Sequence, residues 1–174
     1  TVKILTGKAL TESLMDTMFA YYQSTNRNFG PWAAFFLNRE WFKDIAERWP
    51  ERILIFAAYL PDESVPAAMS FLIRKDDLLI GRYWGSGTMV KNLHFELCYY
   101  APIEYAIREK IRKFDPGMGS PHKARRGFRS REFTSLHSFR SDDISRIFGP
   151  VLKQVNMAEE MTVSELDSSI PWKK

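Results

Sequence analysis

Apolar positions recur along this chain with two different periods, and the changes of period mark its elements. Leu14, Met15, Met18, Phe19 and Tyr22 follow one another at spacings of one, three, one and three, which places them on one face of a helix. Thr11 stands ahead of them as an N-cap, and the helix is expected to run to about Ser24. Turn chemistry follows from Asn26 to Pro31. Asn38 then caps a second expected helix, in which Trp41, Phe42, Ile45, Ala46 and Trp49 share a face until Pro50 stops it.

The period then shortens. Ile53 to Tyr59 is apolar and partly β-branched, Pro61 to Ser64 turns the chain, and Ala67 to Ile73 reads as the partner strand. Lys75, Asp76 and Asp77 turn it again into Leu78 to Trp84. Three consecutive antiparallel strands result, with Val2 to Leu5 as an expected edge strand. Leu93, Leu97, Tyr100, Ile103, Ile107 and Ile111 form a helical stripe that continues past Pro102, which predicts a helix kinked at that proline. Lys113 to Asp115 reads as a short strand stopped by Pro116 and Gly117, and Phe133 to Phe139 alternates as another. Asp142 or Asp143 caps a last helix expected to end near Val155. The expected organisation is a single domain over residues 1–157 and a loosely held tail over 158–174.

Composition narrows the class. With 174 residues, 45% of them apolar, the chain can bury a core without staples. Its longest apolar run, Ile53 to Leu60, is far below the roughly 20 residues that span a bilayer, so no membrane span is expected. The lone Cys98 excludes an internal disulfide, and three histidines with one cysteine leave too few ligands for structural zinc, so no metal is expected. Residues 1–20 lack the pattern of a secretory signal, which gives a cytoplasmic expectation. The start at Thr1 rather than Met is that expected of a piece of a longer protein.

Net charge is +4, but it is unevenly placed. Between Ala106 and Arg140 ten basic side chains face three acidic ones, a local +7, while the remainder carries −3. Such a field attracts phosphate groups or nucleic acid.

No Walker loop, dinucleotide fingerprint, paired-histidine zinc helix or serine elbow is present, so any chemistry must come from scattered groups. Arg82, Tyr83 and Trp84 end an otherwise apolar strand with a cation and two large rings. His94, Glu96, Tyr99 and Tyr100 place four hydrogen-bonding groups among apolar neighbours. Desolvation there would raise the Glu96 pKa towards the range of a general base, unless Arg82 satisfies that carboxylate as a structural ion pair. His122, Lys123, Arg125 and Arg126, flanked by Gly117, Gly119 and Gly127, form a basic turn suited to phosphate oxygens.

In order, RYWG (Arg82 to Gly85), HFELCYY (His94 to Tyr100), IEYAI (Ile103 to Ile107), FDPG (Phe114 to Gly117), HKARRGF (His122 to Phe128) and TSLH (Thr134 to His137) closely resemble the FemAB-like N-acyltransferases. The resemblance is strong from Arg82 to His137 and weaker from Gly7 to Tyr59. It implies the acyl-CoA N-acyltransferase fold of the GNAT superfamily: an α/β (α+β) protein with a mixed, mainly antiparallel central sheet flanked by helices. In that fold two central strands splay and admit an acyl donor, here Leu78 to Trp84 and Lys113 to Asp115. The implied activity is transfer of an acyl or aminoacyl group to an amine, on a small molecule, a peptide or a cell-wall precursor.

Glu96 is the implied base, with His94 or His122 as the second choice and Tyr100 as a hydroxyl donor. Arg82, Trp84, Gly85, Gly87, Lys123, Arg125 and Arg126 are the implied donor-binding residues. No tightly bound cofactor is implied; acyl-CoA or aminoacyl-tRNA would serve as the donor co-substrate. Gly85 to Lys91 has two glycines but lacks the usual GNAT pyrophosphate pattern, whereas the basic window suits tRNA phosphates. Family members usually carry two related domains, so a companion N-terminal domain or a homo-oligomer is an expected partner. The alternative function is a non-catalytic recognition domain that kept the fold, binding a phosphate-bearing ligand or a partner domain.

Overall fold

The computed structural model describes residues 1–118 and 121–171. The chain forms two compact units, Thr1–Gly117 and Met118–Lys174.

The first unit is built on a five-stranded sheet: β1 (Val2–Leu5), β2 (Ile53–Ala58), β3 (Ala68–Lys75), β4 (Leu78–Ser86) and β5 (Lys113–Asp115). The strands lie in sequence order, antiparallel from β1 to β4, and β5 joins β4 in parallel. Every residue of β2 is buried, which is why its sequence reads as a continuous apolar run rather than an alternation. Its successive side chains nevertheless serve opposite faces. Ile53, Ile55 and Ala57 join one core with Met69 and Phe71, while Leu54, Phe56 and Ala58 join the other with Ala68, Leu72 and Leu79.

Helices α1 (Glu12–Arg27) and α2 (Arg39–Arg48) cover the first face. Both begin as their sequences require: the Thr11 hydroxyl accepts from Leu14 N–H, and Asn38 Oδ1 from Trp41 N–H. α1 continues past Ser24 to Arg27. The second face is covered by α3 (Leu93–Phe95), a π-helical segment Glu96–Tyr100, and α4 (Ala101–Arg108). The helix is therefore widened just before Pro102 instead of merely kinked there. It also ends earlier than its apolar stripe: Lys110 takes a left-handed φ of 56°, and Ile111, though buried, lies beyond the last turn with its N–H donated to the Ala106 carbonyl.

β4 departs from regular pairing with β3. Phe71 pairs with Tyr83 and Leu72 with Gly81, so Arg82 is the extra residue of a β-bulge. On its other side β4 pairs with β5 only at Leu78, Leu79 and Ile80. The β5 chain then turns at Pro116–Gly117, where the Gly117 N–H donates to Asp115 Oδ1 at 2.8 Å and Gly117 takes a φ of 82°. Among the described residues, Gly81–Ser86 has no strand on that side.

The second unit holds a 3-10 turn at Ala124–Arg126 and the long helix α5 (Asp142–Ser168). α5 passes well beyond Val155, and the backbone is helical across residue 157. Its added turns include Met157, Ala158, Glu159, Glu160 and Met161, good helix formers. The alternating stretch Phe133 to Phe139 forms no strand: its residues have no regular structure, because alternation stabilises a strand only where a neighbour supplies the ladder. No helix among the described residues is long and apolar enough to cross a membrane.

Candidate active site

The polar groups gathered on the second sheet face are held there by the π-helical segment. There the helical bonding widens to five residues back, as from the Ala101 N–H to the Glu96 carbonyl. The next residue, Pro102, has no N–H to give to the Leu97 carbonyl. Ser70 takes its place from the sheet below, its hydroxyl donating to Leu97 O at 2.6 Å. Ser70 is only 1% exposed and is the one buried polar side chain among the described residues. The sequence offers a single sign of it, a hydroxyl in the middle of an apolar strand.

The widened turn also brings residues five apart onto one side. The rings of His94 and Tyr99 lie 5.6 Å apart, edge to face, and Trp84 reaches up from β4 to within 5.1 Å of the His94 ring. Trp84 is the cross-strand partner of Ser70, so strand, π segment and imidazole meet over one point of the sheet. Glu96 is half-buried, Tyr99 is buried, and Tyr100 is exposed.

Arg82 does not join this group through an ion pair. Among the described residues it forms no salt bridge with Glu96; its guanidinium lies over the Tyr83 ring, 5.5 Å from the centroid, and donates to the Tyr83 hydroxyl at 3.4 Å. The bulge explains this placement, since the extra residue leaves the regular alternation of the strand. The structural pairing of Glu96 with Arg82 that the sequence allowed is thus absent.

Gly85 and Gly87 are accounted for by packing. A Cβ at Gly85 would lie 2.3 Å from the Tyr21 carbonyl oxygen, and one at Gly87 would lie 2.7 Å from the Tyr21 hydroxyl. α1 therefore rests directly on the end of β4. Thr25 Oγ1 donates to the Trp84 carbonyl at 2.8 Å, and Tyr21 Oη to that of Pro66 at 2.5 Å, fixing the loop that leaves the strand. Burial pushes the Tyr21 hydroxyl above its usual pKa. Tyr21 and Thr25 were not singled out in the sequence, because their roles depend on a strand some sixty residues away.

In the second unit, His122, Lys123, Arg125 and Arg126 do share one turn. Lys123 Nζ donates to the Met118 carbonyl at 2.8 Å, and an Arg126 guanidinium N–H to the His122 carbonyl at 2.9 Å. Gly127 closes the turn at a φ of 87°, a left-handed conformation suited to glycine. Burial, and then the charges of Arg126, Lys123 and Arg125, hold the His122 imidazole below its ordinary pKa, so the neutral, proton-accepting form dominates at pH 7. Gly119 lies outside the described residues. Among the described residues no group of His, Cys, Asp and Glu could hold a metal ion.

Solved structures share this architecture at low sequence identity. A crystal structure described as "a probable acetyltransferase" matches with a TM-score of 0.54 and 14% identity, over 82% of this chain and 99% of the other. A Trypanosoma brucei acetyltransferase matches with a TM-score of 0.51 and 12% identity, over 80% of this chain and 100% of the other. A mutated form of a Bacillus halodurans protein matches with a TM-score of 0.51 and 11% identity, over 80% and 99%. At these identities the likeness establishes the fold, a mixed sheet with helices on both faces. A sequence search among curated proteins finds no match. The model of the FemAB-like family, described as peptidoglycan biosynthesis/recognition, spans residues 1–174, and the chain therefore belongs to that family.

Proposed function

We propose that this protein transfers an acyl or aminoacyl group from an activated donor, an acyl-CoA or an aminoacyl-tRNA, to the amino group of a small molecule or cell-wall precursor. The observation that carries this reading is the open stretch of β4. Parallel pairing ends at Ile80 and Asp115, and among the described residues no strand covers Gly81–Ser86 on that side; Thr25 already occupies the Trp84 carbonyl and Tyr21 lies against Gly85, so only part of that edge offers backbone groups to a ligand. An extended acyl chain can hydrogen-bond there, and a backbone N–H near the donor carbonyl can stabilise the oxyanion. Membership of a peptidoglycan biosynthesis/recognition family supports the same class of substrate.

In this reading the acceptor nitrogen attacks the donor carbonyl carbon, and Glu96 takes the proton that the nitrogen loses. The carbonyl–sulfur or carbonyl–oxygen bond then breaks, and the leaving group receives a proton from the Tyr100 hydroxyl, which solvent replenishes. His94, held between Trp84 and Tyr99, is the second candidate for the base. The second unit, taken by itself, carries in Lys123, Arg125 and Arg126 a basic turn suited to phosphate oxygens. Tyr21 accounts for both Gly85 and Gly87 by packing, so these glycines give no reason to place a pyrophosphate cradle there, which favours aminoacyl-tRNA as the donor.

Thermal unfolding with acetyl-CoA, with aminoacyl-tRNA and with neither tests the donor. A shift with aminoacyl-tRNA alone is expected; a shift with acetyl-CoA alone reverses the preference. With the stabilising donor, Glu96→Gln should slow single-turnover transfer to a test amine by about 100-fold to 10,000-fold while donor affinity stays. Unchanged transfer removes Glu96 as the base. No shift with either donor favours the recognition-domain reading.

A further inference from the structure

The second unit leaves uncovered an apolar surface that its charges equip for one particular partner. α5 runs for 27 residues without a single buried one. Along it Ile144, Phe148, Val151, Val155 and Ala158 recur at spacings of four, three, four and three, the pattern of a helix-pairing seam. Ile147 and Met161, 66% and 67% exposed, widen the stripe. At about 100° per residue, Asp143, Glu159 and Glu165 border it; Lys153 projects from its other side, and Arg146 reaches back to pair with Asp143 at 3.1 Å. The negative edge of the seam is therefore carried by Glu159 and Glu165.

Residues 129–140 carry the opposite combination. This segment has no regular structure, yet its course is defined: the Ser130 N–H donates to Asp167 Oδ1 at 2.9 Å, and the Phe139 ring lies 4.9 Å from that of Phe148. It thus runs back beside α5 in the opposite direction. Arg129, Arg131 and Arg140 outweigh the single Glu132, and Phe133 and Leu136 are 77% and 94% exposed. The Arg131 guanidinium lies over the Phe133 ring, 5.6 Å from its centroid, presenting cation and apolar side chain together. A positive apolar strip lies alongside a negative apolar stripe.

Such a surface is complementary to itself. A two-fold axis running along the boundary sets each strip on the opposite stripe of the second copy, buries apolar side chains from both, and closes the assembly at two members. We propose that two copies of this chain associate through their second units, residues 129–140 of each lying on the acid-edged α5 seam of the other. This pairing does not depend on the acyl-transfer reading, and its test involves no donor.

Sedimentation of the whole chain over a range of concentrations should show a monomer–dimer equilibrium that weakens as salt rises. Val151→Asp, a change at a position exposed in the single chain, should raise the dissociation constant at least tenfold with an unchanged circular dichroism spectrum. Reversing the strip (Arg129→Glu with Arg131→Glu) or the seam (Glu159→Lys with Glu165→Lys) should each do the same. The decisive arm mixes the two reversed chains in equal amounts, because both new contacts are then attractive and a heterodimer should form near wild-type strength. A chain that stays monomeric at every concentration overturns the proposal. So does a dimer indifferent to Val151→Asp and to the reversals, or a mixture that fails to pair.

Discussion

The two faces of the sheet are covered by helices of similar amphipathic design and end up very different. On the α1–α2 face, Phe19, Tyr22, Trp41, Phe42, Phe71 and Tyr83 form one ring cluster, with centroids 5.0 to 6.3 Å apart. Its polar atoms sit at the rim, where the Tyr22 hydroxyl donates to the Ala34 carbonyl and accepts from the Leu37 N–H. On the α3–α4 face the covering helix has a widened turn, a proline and a buried hydroxyl beneath it. The first arrangement maximises contact and leaves nothing to react. The second gives up regular helical bonding and holds His94, Glu96 and Tyr100 around one turn. Stability and candidate chemistry are thus assigned to opposite sides of the same strands.

The comparison is most strongly tested at Phe42, which is fully buried at the centre of the ring cluster. Phe42→Ala should cost about 3–5 kcal/mol in urea unfolding, since it removes the ring and leaves a cavity among stiff neighbours. A loss below about 1 kcal/mol would mean that the face is looser than its geometry. Ser70→Ala should cost less, about 1–3 kcal/mol, by leaving the Leu97 carbonyl buried without a donor. Hydrogen exchange should then quicken at the amides of the π segment and not in α1 or α2; uniform quickening would deny the two faces their separate roles.

The smallest effect is expected at the rim of α1. Arg39 Nε donates to Asp16 Oδ1 at 2.7 Å and an Arg39 NH2 group to Asp16 Oδ2, and this bonding holds the Asp16 carboxyl below its usual pKa despite partial desolvation. A depressed folded-state pKa contributes stability above the unfolded value of about 3.9 and loses it as pH falls through the folded one. Wild type should therefore exceed Asp16→Asn slightly at pH 7, and the difference should vanish on acidification. A difference that persists at pH 2 would trace to packing.

What could be read in advance divides along the same line. The caps at Thr11 and Asn38, the fully apolar β2 and the turn before Leu78 act through neighbours in the chain, so their residues announce them. The bulge at Arg82 and the π segment do not act locally. Pro102 alone suggests a kink; only with Ser70 placed beneath Leu97 does a widened turn become an arrangement in which the Leu97 carbonyl keeps a donor. For the same reason Gly85 resembled part of a ligand loop until Tyr21 was seen against it. Phe133 to Phe139 misled in the opposite sense, because its alternation had no strand to answer it.

An unpaired stretch of strand is also a hazard, for an edge with open backbone groups would welcome a strand from another molecule and begin an aggregate. The bulge at Arg82 meets that hazard. It breaks the even spacing of backbone groups that an incoming strand would need in order to extend its register, and it puts an exposed cation on the edge. A short acyl or aminoacyl chain needs only a few of those groups and no continuing register. One extra residue in β4 is thus a barrier to strand addition that, under the proposed function, would still leave room for a short substrate.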